Sequence, residues 1–486
     1  MKSNFKELLG RAHRNERGQV LVMVALMLVG LLAMSAFVID MGVIYFSYRQ
    51  LQAATDAAAL AGATQIPNGT AVTAVNQYSG SRAAGAVYNI YPNLTITSVN
   101  VQLACVTSTI YQLPPCIIYG SQPSTNALKV LETATVPLTF ATVVGWSSMP
   151  ITAVSVAAAS GGPSAPFNVA IVLDSTPSMN NRDPGGLCGS LTMEQCALQG
   201  SQILLQTMIP CAGGAACTAG ATGQVKNPVD EVSYFTFPAV TAASTPADYC
   251  QGGAPVWAPY PLPAIGVIPA YDPTYQIVGF SSDFRMSNLS TTLNTSSHLA
   301  LASGATSPAC NGIQVTGQGR GYVTYYAGAI YSAEYLLLQE QSARPNTQNA
   351  LIILGDGASN SPQSNMASNA TNSGTYPSYV SECHQAVTAA QWAALQGVGG
   401  TRVYSIAYDA LTTGCTTDTS PYNSPCYTMQ HIASTSNYFY TDASSNRNGC
   451  NSTNNQTITS LNQIFQSITQ SLSLARLIPR SAWPNT

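Results

Sequence analysis

The sequence predicts an α/β protein in three parts: an N-terminal transmembrane helix, a small α+β stalk, and a large doubly wound, mainly parallel sheet with big disulfide-rich insertions. Three observations carry this. Residues 18–39 (GQVLVMVALMLVGLLAMSAFVI) form a run of 22 residues without a charge. From residue 167 to about 478, apolar strand patterns alternate with helical ones, the order that gives a crossover-connected parallel sheet with helices on both faces. Two of those strands, FNVAIVLD and NALIILGD, run straight into aspartates, Asp174 and Asp356.

At ~1.5 Å per residue the uncharged run reaches ~33 Å, enough to cross a bilayer core. Lys2, Lys6, Arg11, Arg14 and Arg17 precede it and Arg49 alone follows soon after, so residues 1–17 form a cytoplasmic tip and the chain beyond about residue 46 faces outward. The span is placed at 18–46, and Ala-rich residues 47–66 continue the helix outward. Cleavage at Ala33–Ala36 or Ala57–Ala63 is the alternative. Asp40 sits at the outer end of the span, where a carboxylate reaches headgroups, water or a neighbouring helix.

Residues 67–160 carry period-2 patterns at 95–105, 128–140 and 151–160 and are read as a small β-rich stalk domain packed on the outward helix. Residues 161–166 (GGPSAP) are a short linker, and 479–486 a tail. Within 167–478 the strand patterns fall at 167–174, 230–239, 349–357, 401–409 and 437–442. The helical patterns fall at 193–209, 326–339, 382–396, 427–434 and 461–475.

The chain is 46% hydrophobic and only 8% charged over 486 residues, with a net charge of −3. No basic stripe tracks a phosphate backbone, which argues against nucleic-acid binding. All twelve cysteines lie after residue 100, without zinc-type spacing, so disulfides in an oxidising compartment are expected. Proximity pairs Cys105–Cys116, Cys188–Cys196, Cys211–Cys217 and Cys415–Cys426, leaving Cys250–Cys310 and Cys383–Cys450; buried free thiols are the rival reading.

Asp174, Thr176 and Ser178 alternate on one turn, Thr324 heads a helical pattern, and Asp356 ends the second strand. Two carboxylates and three hydroxyls at the rim of a parallel sheet make a hard-cation site. This arrangement resembles the von Willebrand factor A domain, a Rossmann-type fold, and its metal-ion-dependent adhesion site. The resemblance implies Mg²⁺ (or Mn²⁺ or Ca²⁺). Thr176, Ser178 and Thr324 would offer hydroxyl oxygens, and Asp174 and Asp356 would supply charge. A protein partner's carboxylate would complete the shell. Two residues depart from the family's pattern: Pro177 stands between the hydroxyls in place of Gly, and Gly355 stands before Asp356 in place of Thr. The domain exceeds a standard ~150–200 residues through insertions at 182–228, 240–320 and 358–381. These, with the aromatic and proline-rich stretch 249–276, read either as partner-recognition surface or as disulfide-pinned padding.

The N-terminal region, with Arg17-Gly18 before the apolar run, then Asp40, Gly42, Tyr45 and RQLQAATDAAALAGA, resembles the TadE/TadG-like proteins of Flp (tight adherence) pilus assembly in bacteria. Met23 stands where pilin-type processing would favour Glu, so the uncleaved TadG type fits better. Together these features predict a single-pass protein of the bacterial cell envelope, its bulk periplasmic or extracellular, acting in Flp/Tad pilus assembly or display by metal-dependent adhesion to pilus components. It is read as no enzyme: the four histidines are scattered, and no Walker A, GxSxG or HExxH sequence occurs. The alternatives are a surface adhesin unrelated to pili and, less favoured, a metal-dependent hydrolase using Asp174 and Asp356.

Overall fold

The computed structural model describes residues 3–66, 70–106, 118–119, 122–123, 125–159, 166–212, 216–238, 249–250, 275–315, 324–360, 381–452, 459–472 and 475–483. Residues 161–165 of the linker and most of the 249–276 stretch and of the 358–381 insertion lie outside these.

Helix α1 (Ser3–Thr64) runs unbroken. Between Val20 and Phe46 most of its large apolar side chains are exposed, Leu21 by 73% and Met27 by 70%. By length and composition this stretch can cross a membrane. Further on the helix changes character. Leu51, Ala58, Ala59 and Ala63 are fully buried against the stalk, because small side chains let strands approach the helix closely.

The stalk holds α2 (Ala71–Tyr78), β1 (Thr95–Ala104), the short β2 (Ile118–Tyr119) and β3 (Gln122–Pro123) hairpin, β4 (Ala127–Pro137) and β5 (Ser148–Ala158). β1, β4 and β5 pair antiparallel, with β4 in the middle. Leu128, Val130, Ala134 and Val136 alternate toward α1 on β4. Glu132 shares that buried row. Its Oε2 accepts from Thr55 Oγ1 of α1 at 3.1 Å, while Oε1 has no hydrogen-bond partner. Burial pushes its carboxyl up to about 7, against the opposing pull of the Thr55 hydrogen bond. The folded value lies above the ordinary 4.5, so the folded chain binds the proton more tightly and stability falls as pH rises through 7. Glu132→Gln should flatten this pH dependence and raise the melting temperature above wild type at pH 8. Scanning calorimetry between pH 5 and 8 checks it, and a variant that melts below wild type at both ends refutes it.

The large unit contains β6 (Phe167–Asp174), α3 (Met193–Thr207), β7 (Glu231–Phe237), β8 (Gln276–Ser281), α4 (His298–Ala302), α5 (Tyr326–Ala343), β9 (Gln348–Gly355), α6 (Glu382–Ala394), β10 (Thr401–Ala407), α7 (Pro425–Ile432), β11 (Phe439–Thr441), α8 (Ala443–Arg447) and α9 (Leu461–Leu472). Its sheet runs β11-β10-β9-β6-β7-β8. All neighbours are parallel except β8, which is antiparallel to β7. The central strand shows why helices cover both faces. On β6, Val169, Ile171 and Leu173 enter one core with residues of α3 and α9, while Ala170 and Val172 enter another with residues of α5 and α6. α3 starts at a capping box, Thr192 with Gln195, as its T-x-x-Q spacing requires.

The observed disulfides include Cys188–Cys196, Cys211–Cys217 and Cys250–Cys310, as proximity anticipates. The other two differ: Cys383 joins Cys415 and Cys426 joins Cys450, in place of Cys415–Cys426 and Cys383–Cys450. The reason is spatial. Cys383 and Cys415 both have a sulfur against the Gly357 carbonyl, where the start of α6 meets the loop after β9. Cys105 is also disulfide-bonded, but the anticipated Cys105–Cys116 pairing lies outside the described residues. A second difference concerns the end of the large unit. β12 (Arg476–Leu477) leaves it and pairs with β5 of the stalk. Ile478 and Trp483 then pack on Val106 and Val156, and Arg480 donates to Gln52 of α1 at 3.0 Å.

Candidate metal centre

β6 and β9 are neighbours in register, Leu173 opposite Leu354, so Asp174 and Asp356 emerge side by side at the C-terminal ends of the two central strands. The chain order reverses between these strands: β6 is followed by β7 on one side, whereas β9 and β10 build the other. The crevice outside such a switch point is where open α/β sheets bind ligands.

The turn after β6 is built by its own polar side chains. Asp174 Oδ1 accepts from Thr176 N at 2.8 Å and Thr176 Oγ1 at 2.6 Å. Thr176 Oγ1 lies 2.9 Å from Ser178 Oγ, and Ser178 Oγ reaches Asp356 Oδ2 at 3.5 Å. Pro177 opens a short 3₁₀ turn, Pro177–Asn180, where a fixed φ suits the first helical position. It holds the turn between two hydroxyls, that of Thr176 on Asp174 and that of Ser178 reaching Asp356. Asp356 Oδ1 accepts from Ala358 N at 3.0 Å, which orients its other oxygen toward Ser178. Four of the five residues singled out from sequence therefore form one hydrogen-bonded chain.

Thr324 is placed differently. It is buried, and its carbonyl accepts from Ser359 Oγ at 2.7 Å and Asn360 N at 3.1 Å. Its own N–H donates to Asn360 Oδ1 at 2.8 Å. The segment before α5 is thus zipped to the loop after Asp356. Among the described residues no hydrogen bond joins the Thr324 hydroxyl to the four-residue chain.

The structure adds groups that sequence reasoning missed. Glu194, in the first turn of α3, is buried; its Oε1 accepts from Ser175 Oγ at 3.4 Å and Oε2 has no hydrogen-bond partner. Acidic residues in a first helical turn ordinarily read as favourable to the helix dipole, which hid it. Tyr326 of α5 sends its hydroxyl to Gly357 N at 2.8 Å. In sequence it is one more apolar helix position.

The electrostatics are one-sided. Burial pushes Asp174 upward, and the charge of Asp356 adds to this. Asp356 is raised chiefly by burial, with a contribution from Asp409. Glu194 is raised well above the carboxylate range by burial and by Asp174. Among the described residues no Lys or Arg forms an ion pair with any of them. Among the described residues no well-aligned hydrogen bond reaches the buried Asp174 Oδ2, and the nearby Asp356 amide offsets only part of the cost of burial, so a carboxylate oxygen left so is costly unless a cation meets it. The donors are all hard oxygens, which suit Mg²⁺, Mn²⁺ or Ca²⁺ over softer metals. The residues present therefore fit a divalent cation, which would supply the missing positive charge.

A family model described as Flp pilus-assembly TadE/G-like matches residues 18–65, the first membrane-length stretch of α1 and its continuation. No curated protein matches the chain. Solved structures similar to it include two crystal structures of the pilus adhesin SpaC from Lactobacillus rhamnosus GG, one in an open conformation. They share 12% and 11% sequence identity with TM-scores of 0.34, over 78% of this chain and 34% of theirs. The chain thus spans about a third of the length of those adhesins.

Proposed function

We propose that this protein is an envelope-anchored, outward-facing component of Flp/Tad pilus assembly or display. In this reading its large unit is a von Willebrand A-type module that binds a protein partner's carboxylate through Mg²⁺, Mn²⁺ or Ca²⁺. Asp174, Thr176, Ser178, Thr324 and Asp356 hold the cation. The membrane part of the reading is supported by the apolar stretch of α1 and the TadE/G-like match at residues 18–65. The adhesion part is supported by the sheet order and by two aspartates at its switch point.

The observation that carries the reading is the buried, unpartnered Asp174 Oδ2 inside a chain of hydroxyls that ends on Asp356. Glu132 in the stalk also carries a buried oxygen without a partner, but Asp174 differs in having a second buried carboxylate, Asp356, beside it, a pair that one cation would serve. Binding without turnover is favoured because the set holds no activated nucleophile with a base beside it. His384 stacks on Tyr422 and His431 on Tyr427, each with ring centroids under 4 Å apart.

The full chain, solubilised and immobilised, should retain pilus components from envelope extracts in Mg²⁺. EDTA and Asp356→Ala should each reduce that retention at least about tenfold, the loss of one ligand contact worth ~1.4 kcal/mol. Retention unchanged by both treatments would remove metal-dependent adhesion from the reading.

A further inference from the structure

The β4–β5 connection is mostly apolar. Residues 137–149 (PLTFATVVGWSSM) contain no charged residue. Val143 is 88% exposed and Trp146 69%, and Phe140 and Met149 are also exposed. The loop does not point away from α1. It returns along the helix to the level of Asp40, and an apolar groove of about 440 Å³ lies between Phe37, Met41 and Ile44 on the helix and Leu138, Trp146 and Met149 on the loop.

Asp40 holds it there. Its carboxylate accepts from the backbone amides of Thr139, Phe140 and Ala141, at 3.0, 3.1 and 2.7 Å. Asp40 is therefore no free interfacial carboxylate but the cap of a short 3₁₀ turn, Ala141–Val144. Further amides are satisfied within the loop: Leu138 N bonds to Ser147 O, Val143 N to Phe140 O, Gly145 N to Thr142 O and Trp146 N to Ala141 O. Internal satisfaction of backbone polar groups is what contact with lipid demands, and Trp at a membrane boundary is a favoured arrangement.

We propose that the Leu138–Trp146 loop is a second membrane contact, entering the bilayer interface beside the C-terminal end of the span with Phe140, Val143 and Trp146 against acyl chains. The occupant is lipid because the bare apolar surface of the loop continues that of α1 without a break. A single helix leaves the protein free to rotate and tilt; two contacts joined by Asp40 fix the stalk relative to the membrane plane. The inference rests on α1 spanning the bilayer.

The chain has four tryptophans, and α1 contains none. Quenching by bromine on acyl chains therefore does not arise from the span itself. The full protein is reconstituted into phosphatidylcholine vesicles with and without brominated acyl chains. Bromolipid quenching should be present in wild type, disappear in Trp146→Phe, and weaken in Val143→Asp and Asp40→Ala. Quenching unaltered in Trp146→Phe, or absent from wild type, overturns the proposal; if Trp146 is then also shielded from aqueous iodide, a protein covers the loop instead. Flotation separates the two readings. A chain that does not float with vesicles refutes the span as well, whereas one that floats unquenched refutes only the loop contact.

Discussion

Asp174→Asn should raise the melting temperature of the cation-free protein and abolish the further rise that Mg²⁺ or Mn²⁺ gives the wild type. The two halves have one cause. Asp174 is completely buried, one of its oxygens lacks a partner, and Asp356 and Glu194 crowd it with like charge. Without a cation this is an uncompensated cluster, and its repulsion weakens the folded state. Asn keeps an oxygen to accept from Thr176 while removing the charge. A ligand that binds only the folded form stabilises it by about 2.7 kcal/mol at a hundredfold excess over its Kd, roughly 4 °C for a unit of about 300 residues. Wild type should show that increment in calorimetry with added Mg²⁺ or Mn²⁺, and Asp174→Asn should not. Asp409→Asn, changing an acid whose own contacts run to Asn448, should keep most of it. A wild type whose melting ignores Mg²⁺, Mn²⁺ and Ca²⁺ alike would end the cation-site interpretation and leave an anchored scaffold.

The parts of this arrangement that were legible in the sequence are those set by local periodicity. β6 and β9 are buried on both faces, so their sequences are continuous apolar runs, and each is followed within two residues by an aspartate. Both strands, and the placing of the two aspartates side by side, could be read from that pattern alone. β8 could not. It is an edge strand of six residues interrupted by Gly279, lying beyond a long proline-rich stretch, and it has neither alternation nor a long apolar run. Non-local facts were equally hidden. Cys383–Cys415 and the return of Arg476–Leu477 to the stalk depend on which loops the completed sheet brings together. Asp40 shows the limit most plainly. A carboxylate at the end of a membrane helix says nothing of a partner about a hundred residues away. Glu194 and Tyr326 were missed for the same reason, since each satisfies its local helix pattern while its hydrogen-bond contact lies on another element.

Gly355→Thr introduces the residue that the von Willebrand A pattern, which the sequence here resembles, carries before the aspartate, yet it should damage this protein. A Cβ at residue 355 would lie 2.3 Å from the Tyr326 hydroxyl and 3.1 Å from Asp174 Oδ2. Tyr326 cannot swing aside at small cost: its ring packs on Phe237 at 4.7 Å, it is fully buried, and its hydroxyl holds Gly357 N. The tyrosine oxygen thus occupies the space a threonine side chain at 355 would fill, which explains why glycine stands here. Overpacking of this kind costs about 1–3 kcal/mol, and because one of the two contacts is with Asp174, the Mg²⁺-induced rise in melting temperature should shrink as well. Tyr326→Phe alone removes the acceptor for Gly357 N, a loss of ~1–3 kcal/mol for a buried group. Combined, the two changes relieve the shortest contact. The double variant should therefore be more stable than the sum of the single effects by about 1 kcal/mol, within the usual range for residues in contact, and should recover part of the cation response. Strict additivity in that cycle would show that Tyr326 and residue 355 do not compete for one space, and the explanation of glycine at 355 would fail.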